Sequence, residues 1–575
     1  MDDTSQTIPL VLGVTGHRDL LTQEIPAIKA SAKKFFLQLQ DTFPDLPILL
    51  MSPLAEGADQ VISEVAFEMG IPVTALLPMP LALYQEDFSG PALETFNQLL
   101  ASCDVIEMPL LNGTTNNHLP RGESRDLQYT EMGAYLAAHS HILLAVWDGK
   151  DSHWPGGTSR VIHFHQYDSM DTVTDGEQLS PVNFTDDESD LVYHIPCSRR
   201  SVNPKLPEEQ VGSGSWLTRD SITPRTINLP ERYLSVFQRL AEFNRDTTRL
   251  KSTSYGDLIP GEHFEHADPG AQLIARLHAQ ADLMARHFQT RMMLSINIGF
   301  SLILLAGLSF IVYADLISDA RMVYIYLILV SLIFTVFAWE RRSGWRRKYL
   351  DYRVLAEALR VQFYWSVAGV KSNRPHRFCH DSFHERRDLE LGWIRNVMRY
   401  SGRRSDALPN DLFPNDLLLN KDDDNVSLVI QYWIGNDESG QRNYYRTKSR
   451  QRARTQGLTR VLELSAFSTV IFMTVLLVIL PSETPFANYL IAAIGLLPFI
   501  VAVRQNYAHQ TAERELITQY NYYYQIFSNA QRLIEHTDNT RRKRHILRAL
   551  GEAALDESSQ WILRQRERPP SGSMM

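Results

Sequence analysis

The sequence predicts an α/β N-terminal domain, doubly wound around a mostly parallel sheet, followed by an all-α membrane region with four transmembrane helices in two hairpins and long cytoplasmic helices. Three observations carry this. First, short apolar runs at residues 10–14, 48–51, 73–77, 105–108 and 142–147 alternate with segments of helical spacing at 25–42, 58–69 and 126–139. Continuous apolar runs separated by helices belong to parallel strands covered on both faces. Second, apolar runs occupy residues 292–314, 322–339, 461–480 and 486–503. Each is about 18–23 residues long, and at ~1.5 Å per residue that crosses the ~30 Å hydrocarbon core of a bilayer. Third, each pair is joined by a short polar link, residues 315–321 and the PSETP at 481–485. The alternative, a buried core hairpin in a soluble protein, fits less well: core segments are shorter, and the first pair carries charge only in its link.

The whole chain sets the frame for these elements. Its 575 residues are enough for two or three domains, each with its own core. A hydrophobic fraction of 44% and a mean hydropathy of -0.22 make the membrane part a minority of the mass. A net charge of -9 argues against a surface that coats nucleic acid, which needs a basic excess. Positive charge instead flanks the spans. Arg286 and Arg291 precede the first, and Arg341, Arg342, Arg346, Arg347 and Lys348 follow the second. Arg450, Arg452, Arg454 and Arg460 precede the third, and Arg504 follows the fourth, whereas the links hold only Arg321, Asp315, Asp319 and Glu483. Both hairpins are therefore expected to point the same way in the inner (plasma) membrane, with the N- and C-termini cytoplasmic. The opening residues lack the basic start and apolar stretch of a signal peptide, which agrees with a cytoplasmic N-terminal domain. Cys103, Cys197 and Cys379 form no CxxC pair, so they read as ordinary thiols, and no metal site is expected.

In a Rossmann-like, doubly wound domain, ligands sit beyond the C-terminal ends of the strands, so the residues just after each run are the ones to read. After the first run come Gly13, Thr15, Gly16, His17, Arg18 and Asp19. Glycines admit an anion to the backbone and an arginine can grip phosphate; the alternative is a tight turn with Arg18 in a surface ion pair. After the second come Glu56, Gly57 and Asp59, where acids either grip ribose hydroxyls or simply favour a helix N-terminus. The segment 126–139 carries Tyr129, Glu131 and Gly133, and the next strand ends in Trp147, Asp148 and Gly149. Then Pro155, Gly156, Gly157, Thr158 and Ser159 make a cradle where amides and hydroxyls converge at a helix start. Two such junctions in one domain favour a nucleotide site.

The VTGHR string, the EGAD loop, the WDG strand end and PGGTS, taken together, resemble the SLOG superfamily. That group includes the cytokinin-activating lonely guy enzymes and the nucleotide-sensing N-terminal domains of melastatin-type TRP channels. The resemblance covers residues 8–167, extending to the strand-like 191–196. It implies that Gly16, Arg18, Gly156, Gly157 and Thr158 hold phosphate, with Glu56, Asp59, Glu131 and Asp148 near ribose or base. One departure bears on chemistry. Hydrolytic lonely guy enzymes carry a glutamate shortly after a PGGxGT pattern, whereas here PGGT is followed by Ser159, Arg160 and Val161. A carboxylate there would stabilise positive charge on the sugar or activate water. Its absence favours binding over N-glycosidic cleavage, although Glu131 or Glu56 can substitute in three dimensions.

Residues 168–226, rich in Asp, Ser, Pro and Gly, read as a domain edge and linker. Segments 233–250 and 272–290 have helical spacing, and in the latter Leu273, Leu277, Ala281, Met284 and Phe288 share one face leading into the first span. The plan of helix, hairpin and long helix then recurs, an internal repeat of architecture. The phrases YLDYRVLAEALRVQFYW, WIGNDESGQRNYY and LGEAALDESSQWILRQRER resemble the SLATT family, two-span membrane domains that accompany SLOG domains in predicted bacterial conflict and antiviral systems. The boundaries so drawn are 1–200 for the ligand domain, 201–265 for a linker and helical connector, 266–400 for the first two-span unit, 401–427 for a linker, 428–568 for the second unit and 569–575 for a disordered tail. No span carries an ionisable residue in its middle, so a proton relay is not expected. Asn297 and Ser301 share one face of the first span, Ser465 and Thr469 one face of the third, positioned to face a pore or to mediate packing. The expected function is a nucleotide-gated membrane effector that works as a homo-oligomer in the bilayer, with a nucleotide-derived signal as ligand and no cofactor. A membrane-anchored nucleotide N-glycosidase and a structural protein that has lost its ligand are the alternatives.

Overall fold

The computed structural model describes residues 7–111, 119, 122–151, 156–167, 191–219, 224–250, 258–265, 267–317, 319–371, 377–383, 389–407, 421–479 and 485–567. Pro155, most of the PSETP link, residues 168–190 of the first linker, residues 408–420 of the 401–427 linker and the 569–575 tail lie outside the described residues. The chain divides into two compact units: Met1–Gln280 with Ala358–Asp422, and Ala281–Glu357 with Asp423–Met575.

The first unit alternates strand and helix: β1 (Leu10–Gly16), α1 (Ile25–Thr42), β2 (Ile48–Ser52), α2 (Ala58–Glu68), β3 (Val73–Leu77), α3 (Leu81–Tyr84), α4 (Pro91–Leu100) and β4 (Asp104–Glu107). It continues with α5 (Glu123–His139), β5 (Ile142–Trp147), α6 (Thr158–Tyr167), β6 (Val192–Pro196), β7 (Ser215–Leu217), β8 (Arg225–Thr226), α7 (Glu231–Arg249) and α8 (Gly261–Glu265). The eight strands form one sheet in the order β4-β3-β2-β1-β5-β6-β7-β8. Neighbours from β4 to β6 are parallel, and β7 and β8 add antiparallel. Strands therefore accrue outward in opposite directions from β1 and β5, which opens a crevice at their C-terminal ends.

The runs of β1, β2, β3 and β5 become strands because both of their faces are covered, whereas β4, at the sheet edge, buries only Ile106. Val11, Met51, Leu76 and Ile106 pack under Met132, Tyr135 and Leu136 of α5, and Leu143, Ala145 and Val192 under Val161, Ile162 and Phe164 of α6. On the other face Phe35 of α1 stacks on Tyr193 of β6 at 4.1 Å and meets Trp216 of β7 edge-on at 5.5 Å. Trp216 is fully buried. Thus part of the stretch read as a linker extends the sheet, where Trp216 supplies the apolar area that holds a three-residue strand.

The same unit takes in residues from beyond the second apolar helix. Of α9 (Pro269–Ile311), α10 (Ala320–Ser343), α11 (Trp345–Ala368) and α12 (Gly392–Asp406), the later part of α11 and all of α12 group with the sheet. Ala407, Tyr400 and Phe378 join the core over α5, His141 Nε2 lies 3.0 Å from the Asn396 carbonyl, and Arg404 pairs with Asp104 at 2.7 Å. The boundary drawn from sequence at 266–400 therefore runs across both compact units. The cause is the apolar face Trp393, Ile394, Val397 and Met398, which is buried.

The second unit is helical, adding α13 (Lys421–Val429), α14 (Gly440–Ile479), α15 (Pro485–Gln510), α16 (Glu513–Glu535) and α17 (Thr540–Arg566). Four of its helices, α9, α10, α14 and α15, are long and apolar enough to cross a membrane. Within this unit α9 approaches α10 closely at Gly299, where an added Cβ would lie 3.0 Å from the Phe337 ring, and approaches α15 where Gly307 meets Phe499. Small residues at such points let backbones come together where lipid supplies no hydrophobic drive.

Candidate functional site

The ends of β1, β2 and β5 meet where the strand order reverses. After β1, the His17 amide donates to the Val146 carbonyl at 3.1 Å and the His17 carbonyl accepts from the Ala58 amide at 3.1 Å, which locks the three exits together. Gly57 makes this possible. Its φ is +89°, and a Cβ there would lie 2.6 Å from the His17 carbonyl oxygen and 2.7 Å from Arg18 Cα. At Gly16 a Cβ would strike Ala58 and come within 2.8 Å of the Val146 carbonyl. Both glycines are therefore required by close approach of backbone and not by turn preference alone.

Charged and aromatic side chains line this junction. Arg18 is exposed, and its guanidinium stands 5.3 Å over the Tyr129 ring of α5, a cation–π contact. Beneath it Asp59, in the first turn of α2, is buried, and its Oδ1 has no hydrogen-bond partner among the described residues. Burial pushes the Asp59 carboxyl up to about 8, against the opposing pull of Arg18. At neutral pH the acid is therefore largely uncharged, and the Arg18 charge stays available to an anion. Tyr129 donates to Asp87, which also pairs with Arg125 at 3.0 Å, and burial pushes the Tyr129 phenol up to about 12. Tyr84 lies edge-on to Tyr129 at 6.2 Å and donates to the Pro53 carbonyl at 3.0 Å.

His17 Nε2 is 3.0 Å from Asp148 Oδ1, so the exits of β1 and β5 are also joined by side chains. Burial lowers the His17 pKa, with Asp148 acting the other way. Gly156 has φ +71°, and its Cα abuts α5: a Cβ would lie 3.0 Å from the Thr130 amide nitrogen. This brings the start of α6 next to Tyr129. Gly157 stands just before α6, its carbonyl accepting from the Arg160 and Val161 amides at 2.9 and 3.1 Å, with Thr158 and Ser159 in the first turn.

The structure thus joins Gly16, His17, Arg18, Gly57, Asp59 and Asp148, with Tyr129 linking Arg18 to Gly156. Other predicted residues are placed differently. Gly13 and Thr15 lie inside β1, paired with Leu143 and Ala145, and the missing Gly13 side chain leaves room for Ser140. Glu56 and Gly149 are exposed, and Glu131 is half-buried on α5. Trp147 donates to the Lys150 carbonyl at 2.9 Å and leans on His194 at 5.6 Å. In the apolar helices Asn297 accepts from Tyr507 at 3.0 Å, and Ser465 and Thr469 donate to carbonyls of their own helix at 2.8 Å. Ser301 is exposed.

Tyr84, Asp87 and Arg125 were not singled out from sequence; the available signal was their place after β3 and at the start of α5. Elsewhere in the first unit His139, His380 and Asp406 bring a ligand atom each within 4.8 Å of one another. Neither a protein-family model nor a curated protein matches the chain.

Proposed function

We propose that the protein is a nucleotide-sensing membrane effector, a ligand-gated pore or channel acting in bacterial antiviral defence. The observation that carries the ligand half is Arg18, exposed at the crevice between β1 and β5 and set over Tyr129 beside a largely neutral Asp59. A phosphate fits such a charge, helped by the α6 start behind Gly156 and Gly157. The resemblance to SLOG domains supports the same ligand class.

The output half rests on α9, α10, α14 and α15 as two membrane hairpins of the SLATT kind. None of the apolar window of α14 is buried within the protein, and no more than 28% of any of the four, so their surfaces suit lipid or further copies of the chain. Four helices enclose little space, and a pore therefore calls for a homo-oligomer. α9 is one unbroken helix across Gln280, where the first unit gives way to the second, which makes it the path for the signal. Coupling of about 1–3 kcal/mol per site would shift opening roughly 5–150-fold. The arginines that flank the spans favour an orientation with both termini on the cytoplasmic side of the inner membrane.

The test is reconstitution in liposomes with a panel of nucleotides, measuring ion flux and, in parallel, nucleotide integrity by HPLC. Flux with intact nucleotide is expected, and Arg18→Ala or Gly157→Asp should abolish it. Free base without flux would overturn the reading in favour of a membrane-anchored N-glycosidase.

A further inference from the structure

His139 ends α5, His380 lies in a single 3-10 turn (Cys379–Ser382) and Asp406 ends α12, so three separate segments of the first unit converge on one buried point. The hydrogen bonding there does not balance. His139 Nδ1 lies 3.0 Å from the Tyr135 carbonyl and Nε2 lies 3.1 Å from Asp406 Oδ2. Both partners accept, and a neutral imidazole has one N–H. If Nδ1 donates to the carbonyl, Nε2 turns a lone pair on a carboxylate, and a cation is needed between them. A proton would satisfy that pair alone. It would not satisfy His380, which is 0% exposed and has its ring 5.1 Å from that of His139; its Nε2 stands 3.6 Å from Asp381 Oδ1, beyond hydrogen-bond distance, and neither ring nitrogen finds a hydrogen-bond partner among the described residues.

We propose that His139 Nε2, a ring nitrogen of His380 and Asp406 Oδ2 bind a divalent metal of the zinc class. Two imidazoles and one carboxylate suit zinc and its first-row neighbours. The Nδ1 contact of His139 with a backbone carbonyl is the support that metal-bound histidines use to fix their tautomer. A ligating His380 is a neutral imidazole, and Arg399 and Arg395 lie near it. Those arginines also oppose a cation. Arg395 is answered by Asp381 at 2.6 Å, Arg399 donates to Asn396 Oδ1 at 3.2 Å, and Asp406 brings a carboxylate to the proposed metal position itself. With both histidines shut from solvent, the metal acts as a staple that fastens the 379–382 turn and α12 to α5.

The test uses the full-length protein in detergent, stripped with a chelator and then titrated with zinc or cobalt(II). Stoichiometric zinc retained after desalting, visible ligand-field bands with cobalt and a melting midpoint raised by zinc are the expected results. Asp406→Asn and His380→Phe should lose all three; phenylalanine retains the stack on Phe378 (5.7 Å), and circular dichroism checks that the variants fold. Wild-type protein that retains no zinc, or a His380→Phe variant that folds and retains as much as wild type, overturns the proposal. A nucleotide response that survives metal stripping leaves the proposed function untouched, so the two fail separately.

Discussion

Gly57→Ala probes the geometry on which the proposed ligand site depends. Gly57 has φ +89° and ψ -119°, a region that costs an L-residue about 1–3 kcal/mol. The new methyl would also point at the Arg18 carbonyl, 2.6 Å from the His17 carbonyl oxygen and 2.7 Å from Arg18 Cα. These are backbone atoms and cannot rotate aside. Carbon contacts settle near 3.5–4.0 Å, so the 17–18 segment must retreat by roughly 1 Å. That retreat takes the Arg18 guanidinium off Tyr129 and His17 off Asp148. Gly70→Ala is the matched control: its φ is +70° and nothing lies within 4 Å of the added methyl, so it adds backbone strain of about 1–2 kcal/mol alone. Thermal melting and nucleotide titration of both variants separate the effects, with roughly 2–4 °C lost per kcal/mol in a domain of 150–250 residues. Both variants should melt earlier, Gly57→Ala by more, and only Gly57→Ala should weaken nucleotide binding, about tenfold for each ~1.4 kcal/mol. Equal melting shifts with unchanged nucleotide affinity would refute the argument that Gly57 holds Arg18 in place.

Other perturbations test neighbouring links. Because burial raises Asp59 from 3.8 to about 8, its folded-state proton is bound more tightly than the unfolded one, and stability falls as pH rises across that window. Nucleotide affinity should likewise drop as pH climbs through about 8, where ionised Asp59 competes for Arg18; Asp59→Asn should flatten both profiles, and a wild-type titration without that drop counts against the Arg18 site. Tyr507→Phe removes the hydrogen bond to Asn297 Oδ1 (3.0 Å) and should cost about 0.6 kcal/mol between membrane helices, seen as an earlier melt in detergent. Gly307→Val places a side chain against the Phe499 ring, and such overpacking costs typically about 1–3 kcal/mol; a variant that melts and conducts as wild type would show that α9 and α15 do not pack there.

The parallel sheet was legible because its strands need no information beyond their own composition. Runs such as 142–147 are apolar throughout, and the strand Ile142–Trp147 is buried along nearly its whole length. β7 was not legible: three residues, Ser215, Trp216 and Leu217, cannot show a period of two, and only the pocket between Phe35 and Tyr193 makes Trp216 a strand residue. The strand-end rule located His17, Arg18, Asp59 and Asp148 for the same reason it located the strands. It gave no weight to Tyr84, Asp87 and Arg125, whose roles arise from mutual contact across the crevice. His139 and Asp406 stand 267 residues apart, and no local pattern can join them.

The four apolar helices and α12 make the same point from opposite sides. An apolar period names a face to be covered and leaves open what covers it. For α9, α10, α14 and α15 a bilayer suffices, since lipid accepts any sufficiently long apolar surface without complementary shape; hydropathy alone therefore found all four. For α12 the cover is specific: Trp393, Ile394, Val397 and Met398 are buried in the first unit, where Asn396, Arg403 and Arg404 bond to His141, Tyr135 and Asp104. That choice is made by partners far away in the chain. Pattern alone groups α12 with the membrane helices it follows in sequence, whereas its contacts lie in the first unit, where α12 and the turn Cys379–Ser382 bring Asp406 and His380 to the end of α5.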